Sequence, residues 1–230
     1  DELKGSFGIK EDKRGLNMLF SVGQEESLDG FDIYLTIDYN IQFEAESLLL
    51  QAKEKFDIDS GQIIVIRPDT GRVLAMAGYP TFNPNNYSSV QDMDIFQNAS
   101  LQKLFEPGSI MKPFTMAIAL NEGKITPETT YVDTGEVILS KETVHNFDNK
   151  IYGQQTMTQV LENSINTGAV FASQQVSRKT FLGYLKKFGF TEKTGIDLQG
   201  EVYSRNDNVM SENAPDINIA TASFGQGIEI

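Results

Sequence analysis

The chain has 230 residues, a net charge of −13, 40 % hydrophobic residues, one histidine and no cysteine. An acidic chain without a basic stripe excludes nucleic-acid binding as its main task, because phosphate contacts need clustered Lys and Arg. The absence of cysteine excludes disulfides and thiolate metal sites, a lone His145 excludes histidine clusters, and no cofactor is expected. No run of about 18 apolar residues and no signal peptide occurs. Any membrane anchor is therefore expected outside these residues, and the opening Asp-Glu-Leu-Lys-Gly reads as the middle of a longer protein.

Residues 1–30 are polar, charge-dense and punctuated by glycine, and read as a connecting segment with one hairpin, Glu11-Asp-Lys-Arg-Gly15 being its turn signal. Phe31, Ile33, Leu35 and Ile37 alternate with Asp32, Tyr34 and Thr36, which predicts a half-buried strand. Asp38 is a good N-cap for a helix over 39–56, with Ile41, Ala45, Leu48, Leu49, Ala52 and Phe56 on one face. Residues 61–78 predict a hairpin about Pro68-Asp-Thr-Gly71. Its near-continuous apolar arms predict strands covered on both faces. Loop chemistry fills 79–100. An apolar helix then runs from Ser109 to about Asn121 and stops at Gly123.

Residues 124–155 read as irregular. Thr156 and Gln159 form a capping-box signature for a helix with Met157, Val160 and Leu161 inward. That helix breaks around Ser164–Gly168, and helical runs follow at 169–176 and 179–188, the second carrying Phe181, Leu182, Leu185 and Phe188 and ending at Gly189. The remainder reads as polar loop until 220–230, a helix or strand entering the core.

Three patterns carry chemistry. Pro107-Gly108 throws Ser109 onto the start of the apolar helix, and Lys112 follows on the same face. An amine beside a hydroxyl is the minimum equipment of a serine enzyme that uses lysine as its base. Ser100-Leu-Gln-Lys103 repeats the spacing in a polar run, and both copies also fit a capping serine with a solvated lysine. Ser164-Ile-Asn166 sets a hydroxyl and an amide on a break between apolar helices, a pattern that plain turn chemistry also fits; Ser204-Arg-Asn206 and Ser211-Glu-Asn213 repeat it in polar loops. Lys193-Thr-Gly195 sits in a turn. His145 reads as a surface loop residue with no Gly-x-Ser-x-Gly to serve, and Asp133, Asp148 and Glu162 have no paired carboxylate.

The order Ser-x-x-Lys, then Ser-x-Asn about 50 residues later, resembles the penicillin-recognising serine acyltransferases. Leu35-Thr-Ile-Asp38 with Gln42, Asp69-Thr-Gly-Arg-Val-Leu-Ala-Met76, Pro80-Thr-Phe-Asn-Pro-Asn85, Phe105-Glu-Pro-Gly-Ser109 and Thr194-Gly-Ile-Asp-Leu-Gln-Gly-Glu201 narrow it to class B penicillin-binding proteins, the monofunctional D,D-transpeptidases. The resemblance covers residues 31–230 as the N-terminal portion of a transpeptidase domain, with 1–30 as the tail of a non-catalytic domain. It implies an α+β fold, an antiparallel sheet between helical layers, incomplete at the C-terminus. It also implies Ser109 as acylated nucleophile, Lys112 as its base, Ser164 in the proton path and Asn166 as a substrate-binding residue. The implied partners are peptidoglycan stem peptides ending in D-Ala-D-Ala, β-lactams, a glycosyltransferase and other elongation or division proteins. The implied place is the extracytoplasmic side of the bacterial plasma membrane.

In that family a third motif, Lys-Thr/Ser-Gly, follows a Gly-Gln-Gly stretch. Here that stretch is Phe224-Gly-Gln-Gly227 and the sequence stops at Ile230, so Lys193-Thr-Gly195 is expected to be a decoy and only two core strands are expected. The 230 residues alone are expected to be weakly active or inactive. The rival readings are a β-lactam sensor or class D β-lactamase relative, and a catalytically incompetent scaffold.

Overall fold

The computed structural model describes residues 32–139 and 141–230; the connecting segment expected over 1–30 lies outside them. Helices and strands alternate in two compact units, divided after Gln91.

In the first unit, helix α1 (Tyr39–Phe56) starts where the sequence predicts. Asp38 caps it, its carboxylate accepting from the N–H groups of Asn40 and Ile41. Strands β1 (Gly61–Arg67) and β2 (Arg72–Tyr79) pair antiparallel with a bulge after Val65. Ala45 and Leu49 of α1 pack on Ala75 and Ala77 of β2, whose small side chains let the helix approach closely. Gln42 fixes the register: its amide donates to Met76 O (3.2 Å) and accepts from Met76 N–H (2.8 Å).

Two expectations change here. Residues 32–38 form no strand. Leu35 is 75 % exposed, and the segment meets β2 only through Thr36 Oγ1 on Val73 O and Asp38 N–H on Leu74 O, too few bonds for a ladder. The hairpin is covered on one face, not two: Ile64 and Ile66 are 43 % and 54 % exposed, because the β1 arm alternates in burial although its sequence does not. Leu48 and Phe56 likewise lie exposed on α1.

The second unit opens with a 3₁₀ turn, Met93–Phe96, and the four-residue helix α2 (Ala99–Gln102), capped by Asn98. Ser100 therefore lies on a short helix rather than in a plain polar run. Helix α3 (Lys112–Asn121) buries Met116, Ile118 and Ala119, while Ile110, Ala117 and Leu120 stay exposed. The stretch expected to be irregular holds four short strands, β3 (Thr130–Asp133), β4 (Glu136–Leu139), β5 (Glu142–His145) and β6 (Gly153–Thr156). They pair antiparallel as β3 with β6 and β4 with β5. His145 accordingly ends a strand instead of lying in a loop.

Helix α4 (Met157–Glu162) has the expected capping box between Thr156 and Gln159; Met157 and Val160 are buried but Leu161 is not. Helices α5 (Asn166–Gln174) and α6 (Arg178–Lys187) follow. Phe181, Leu182 and Leu185 face inward from α6, with Phe188 half out. Gly168 lets α5 lie against α4, since a Cβ there would meet the Val160 side chain at 2.4 Å. Short helices α7 (Asp207–Met210) and α8 (Asp216–Ala222) replace the expected loop. One core cluster gathers Met111, Met116, Ile118, Val160, Ile165, Phe181, Leu185 and Ile228 around α3 and α5. The serine–lysine segment is thus the N-terminal end of a core element, which holds it still.

Candidate active site

The site is built on the turn before α3. Gly108 has φ +62°, a conformation only glycine adopts cheaply. The chain then makes a 3₁₀ turn, Gly108–Met111, that runs into α3. In this geometry residues three apart eclipse. Ser109 is exposed, and Lys112 is 2 % exposed beneath it.

Lys112 Nζ lies 3.1 Å from Ser109 Oγ, 2.9 Å from Ser164 Oγ and 2.6 Å from Ser164 O, and the two hydroxyls are 3.0 Å apart. Ser109 and Lys112, three residues apart, thus close a triangle with Ser164, which lies more than 50 residues further on. As an ammonium, Lys112 donates all three hydrogens. As an amine it keeps two, for the carbonyl and hydroxyl of Ser164, and turns a lone pair to Ser109. Burial lowers its pKa from 10.5 to about 8, because the charged form loses hydration.

Ser164 stands in the left-handed region, φ +54°. For a serine this costs of order 1 kcal/mol. The conformation ends α4, and its N–H bonds Leu161 O (3.2 Å). Buried Ile165 then pins the break to the core, and Lys112 holds Ser164 by both oxygens. The amide of Asn166 donates to His145 O at 3.0 Å, so the end of β5 orients it. The predicted Ser109, Lys112 and Ser164 come together directly; Asn166 joins them through the α4–α5 break.

Phe224-Gly-Gln-Gly227 closes on the other side of the nucleophile turn. Gly108 N–H donates to Gly225 O (2.9 Å), and Gly227 N–H to a Glu106 carboxylate oxygen (2.8 Å). Phe105 and Ile230 exchange both backbone bonds. A Cβ on Gly225, which has φ +84°, would sit 2.0 Å from Gly108 O, so only glycine fits.

The duplicate motifs are structural. Thr194 of Lys193-Thr-Gly195 is on no strand and gives its N–H and hydroxyl to Glu201. Asn206 of Ser204-Arg-Asn206 is not in an open loop: it is buried and bonds both backbone groups of Glu229. Sequence reading missed Asp133, whose buried carboxylate collects hydrogen bonds beside α5. The sequence offers Asp133 no paired carboxylate, and nothing in it ties the residue to a helix 30 residues on.

A buried amine bonded to an exposed serine, with a second serine closing the ring, has the parts that a serine acyl-transfer site of the lysine-base type requires. The penicillin binding protein transpeptidase domain model matches residues 61–230, and the chain belongs to that family. It is 32 % identical to Stage V sporulation protein D of Bacillus subtilis, over all of this chain and 36 % of that protein. It is 34 % identical to the probable peptidoglycan D,D-transpeptidase PbpC of Pseudomonas aeruginosa, over 86 % of this chain and 34 % of that one. The chain thus spans about a third of the length of these relatives. Among solved structures, the transpeptidase domain of penicillin-binding protein 3 from Burkholderia pseudomallei superposes with a TM-score of 0.72 at 29 % identity, over 85 % of this chain and 54 % of that one.

Proposed function

We propose that the protein containing this chain is a peptidoglycan D,D-transpeptidase of the class B type, working through an acyl-enzyme on Ser109. The observation that carries the reading is the closed triangle of Ser109, Ser164 and a buried Lys112. Neutral Lys112 takes the Ser109 hydroxyl proton as Oγ attacks the carbonyl carbon between the two D-alanines of a stem peptide. The C–N bond then breaks. The proton passes from Lys112 through Ser164 to the departing nitrogen, and free D-alanine leaves. An amine of a neighbouring stem peptide attacks the ester and gives up a proton to Lys112, and Ser109 leaves with its hydroxyl restored. Asn166, anchored through its NH2 on His145 O, offers its amide oxygen to a peptide N–H of the donor.

β-Lactams present the same carbonyl in a ring and trap Ser109. The place of work is the outer face of the bacterial plasma membrane, alongside a glycosyltransferase and other elongation or division proteins. Among the described residues no helix is long and apolar enough to cross a membrane. The test uses protein expressed from its complete reading frame, a D-Ala-D-Ala pentapeptide and an acceptor amine. D-alanine release matched by cross-linked product is expected, and Ser109→Ala abolishes both. Release with no cross-linked product, or rapid turnover of penicillin, contradicts the reading.

A further inference from the structure

We propose that Asp133 is a positioning residue for acyl transfer, acting with Asn146 as the N-terminal cap of α5 and so fixing Ser164 and Asn166; the inference rests on the serine-acylation reading above. Helix α5 begins at Asn166, and its N-cap residue, Ile165, has no side-chain oxygen to offer the first N–H groups. The missing acceptor comes from another segment. Asn146 Oδ1, just past the end of β5, accepts the N–H of Thr167 at 3.1 Å, the bond that a capping Ser, Asn or Asp normally makes within its own helix.

Asp133 holds this surrogate cap. Its carboxylate, 2 % exposed, accepts Asn146 Nδ2 at 3.0 Å on both oxygens, which forces the Asn146 carbonyl toward Thr167. It also accepts the hydroxyl of Thr167 at 2.6 Å, and the N–H groups of Gly135 and Tyr152 at 3.0 and 2.8 Å. Every donor here is neutral. The negative charge instead lies beside the N-terminal end of α5, where the helix dipole favours it. An asparagine at 133 would turn an NH2 against donors, so the site needs a carboxylate.

The consequence reaches the chemistry by two short routes. Thr167 is the neighbour of Asn166 and three residues from Ser164, whose left-handed backbone depends on a fixed start of α5. Asn146 is the neighbour of His145, whose carbonyl anchors the Asn166 amide. One carboxylate therefore sets both the Ser-x-Asn backbone and the acceptor that orients its asparagine. Displacements of about 1 Å in such groups cost on the order of 10²-fold in rate.

The test measures acylation of complete-reading-frame protein by a fluorescent penicillin, splitting binding (Ks) from acylation (k2), at a temperature where each variant is fully folded. Asp133→Asn and Thr167→Val are expected to lower k2 about 10- to 100-fold with Ks changed less than about threefold. Thr167→Ser, which keeps the hydroxyl, restores k2, and Ser109 stays the labelled residue. Folded Asp133→Asn or Thr167→Val protein with wild-type k2 and only a lower melting temperature overturns the positioning role. If Asp133→Asn does not fold, the Thr167 pair decides. Wild-type protein that fails to label at Ser109 overturns the acylation reading, and this proposal with it.

Discussion

In the proposed reaction Lys112 is the base, and its environment makes a pH prediction. With a pKa of about 8, the amine is mostly protonated at neutral pH. The acylation constant is expected to rise nearly tenfold per pH unit below about 8 and to level above it, as stopped-flow labelling can check. Lys112→Met removes the base and is expected to slow acylation about 10²- to 10⁴-fold. The same shift has a stability side. Between about 8 and 10.5 the folded chain holds fewer protons at Lys112 than the unfolded chain, so this site's contribution to stability rises with pH across that window. Asp133 works in the opposite range. Burial pushes its pKa up, but the bonds from Thr167, Tyr152, Gly135 and Asn146 outweigh this and hold it below its ordinary 3.8. Its stabilisation is full above that value and is lost as pH falls through the folded value. Acid unfolding monitored by circular dichroism should therefore be less steep below pH 4 in Asp133→Asn than in the parent.

At the scale of elements, two caps and one close approach hold the site. The Thr156–Gln159 capping box starts α4, and Thr156→Ala is expected to cost about 1 kcal/mol in denaturant unfolding. Gly225→Ala has a larger effect, because the methyl group meets the Gly108 backbone at a positive φ. About 2–4 kcal/mol of destabilisation is expected, with slower acylation, since the displaced backbone leads directly into Ser109. Elements whose signals are local were legible in the sequence. The Asp38 cap, the hairpin turn, the capping box and the Gly189 stop all fall where their chemistry places them. Strands β3–β6 were not, because four-residue arms give alternation too short to separate from loop, and the pairing of β3 with β6 joins residues far apart. The strand read at 31–37 is absent over its described residues, 32–37, for the converse reason: alternation is clear, but no neighbouring strand among the described residues supplies a ladder. The serine, lysine and Ser-x-Asn residues were legible through motif order, whereas the Asp133 network, with its members scattered from 133 to 167, had no pattern to read.

At the scale of the whole molecule the proposed site lies in the second unit, where α3, α4 and α5 share one core and the Ser109 turn, the α4–α5 break and the Gly-Gln-Gly stretch meet. The proposed reaction draws on two observations, family membership over residues 61–230 and the distances among three side chains within them. The central claim is covalent, so the most direct measurement is intact-protein mass spectrometry of the complete-reading-frame protein after exposure to penicillin. One adduct is predicted, located on the peptide containing Ser109 and absent from Ser109→Ala. No adduct on folded wild-type protein, or an adduct that survives Ser109→Ala, contradicts the account.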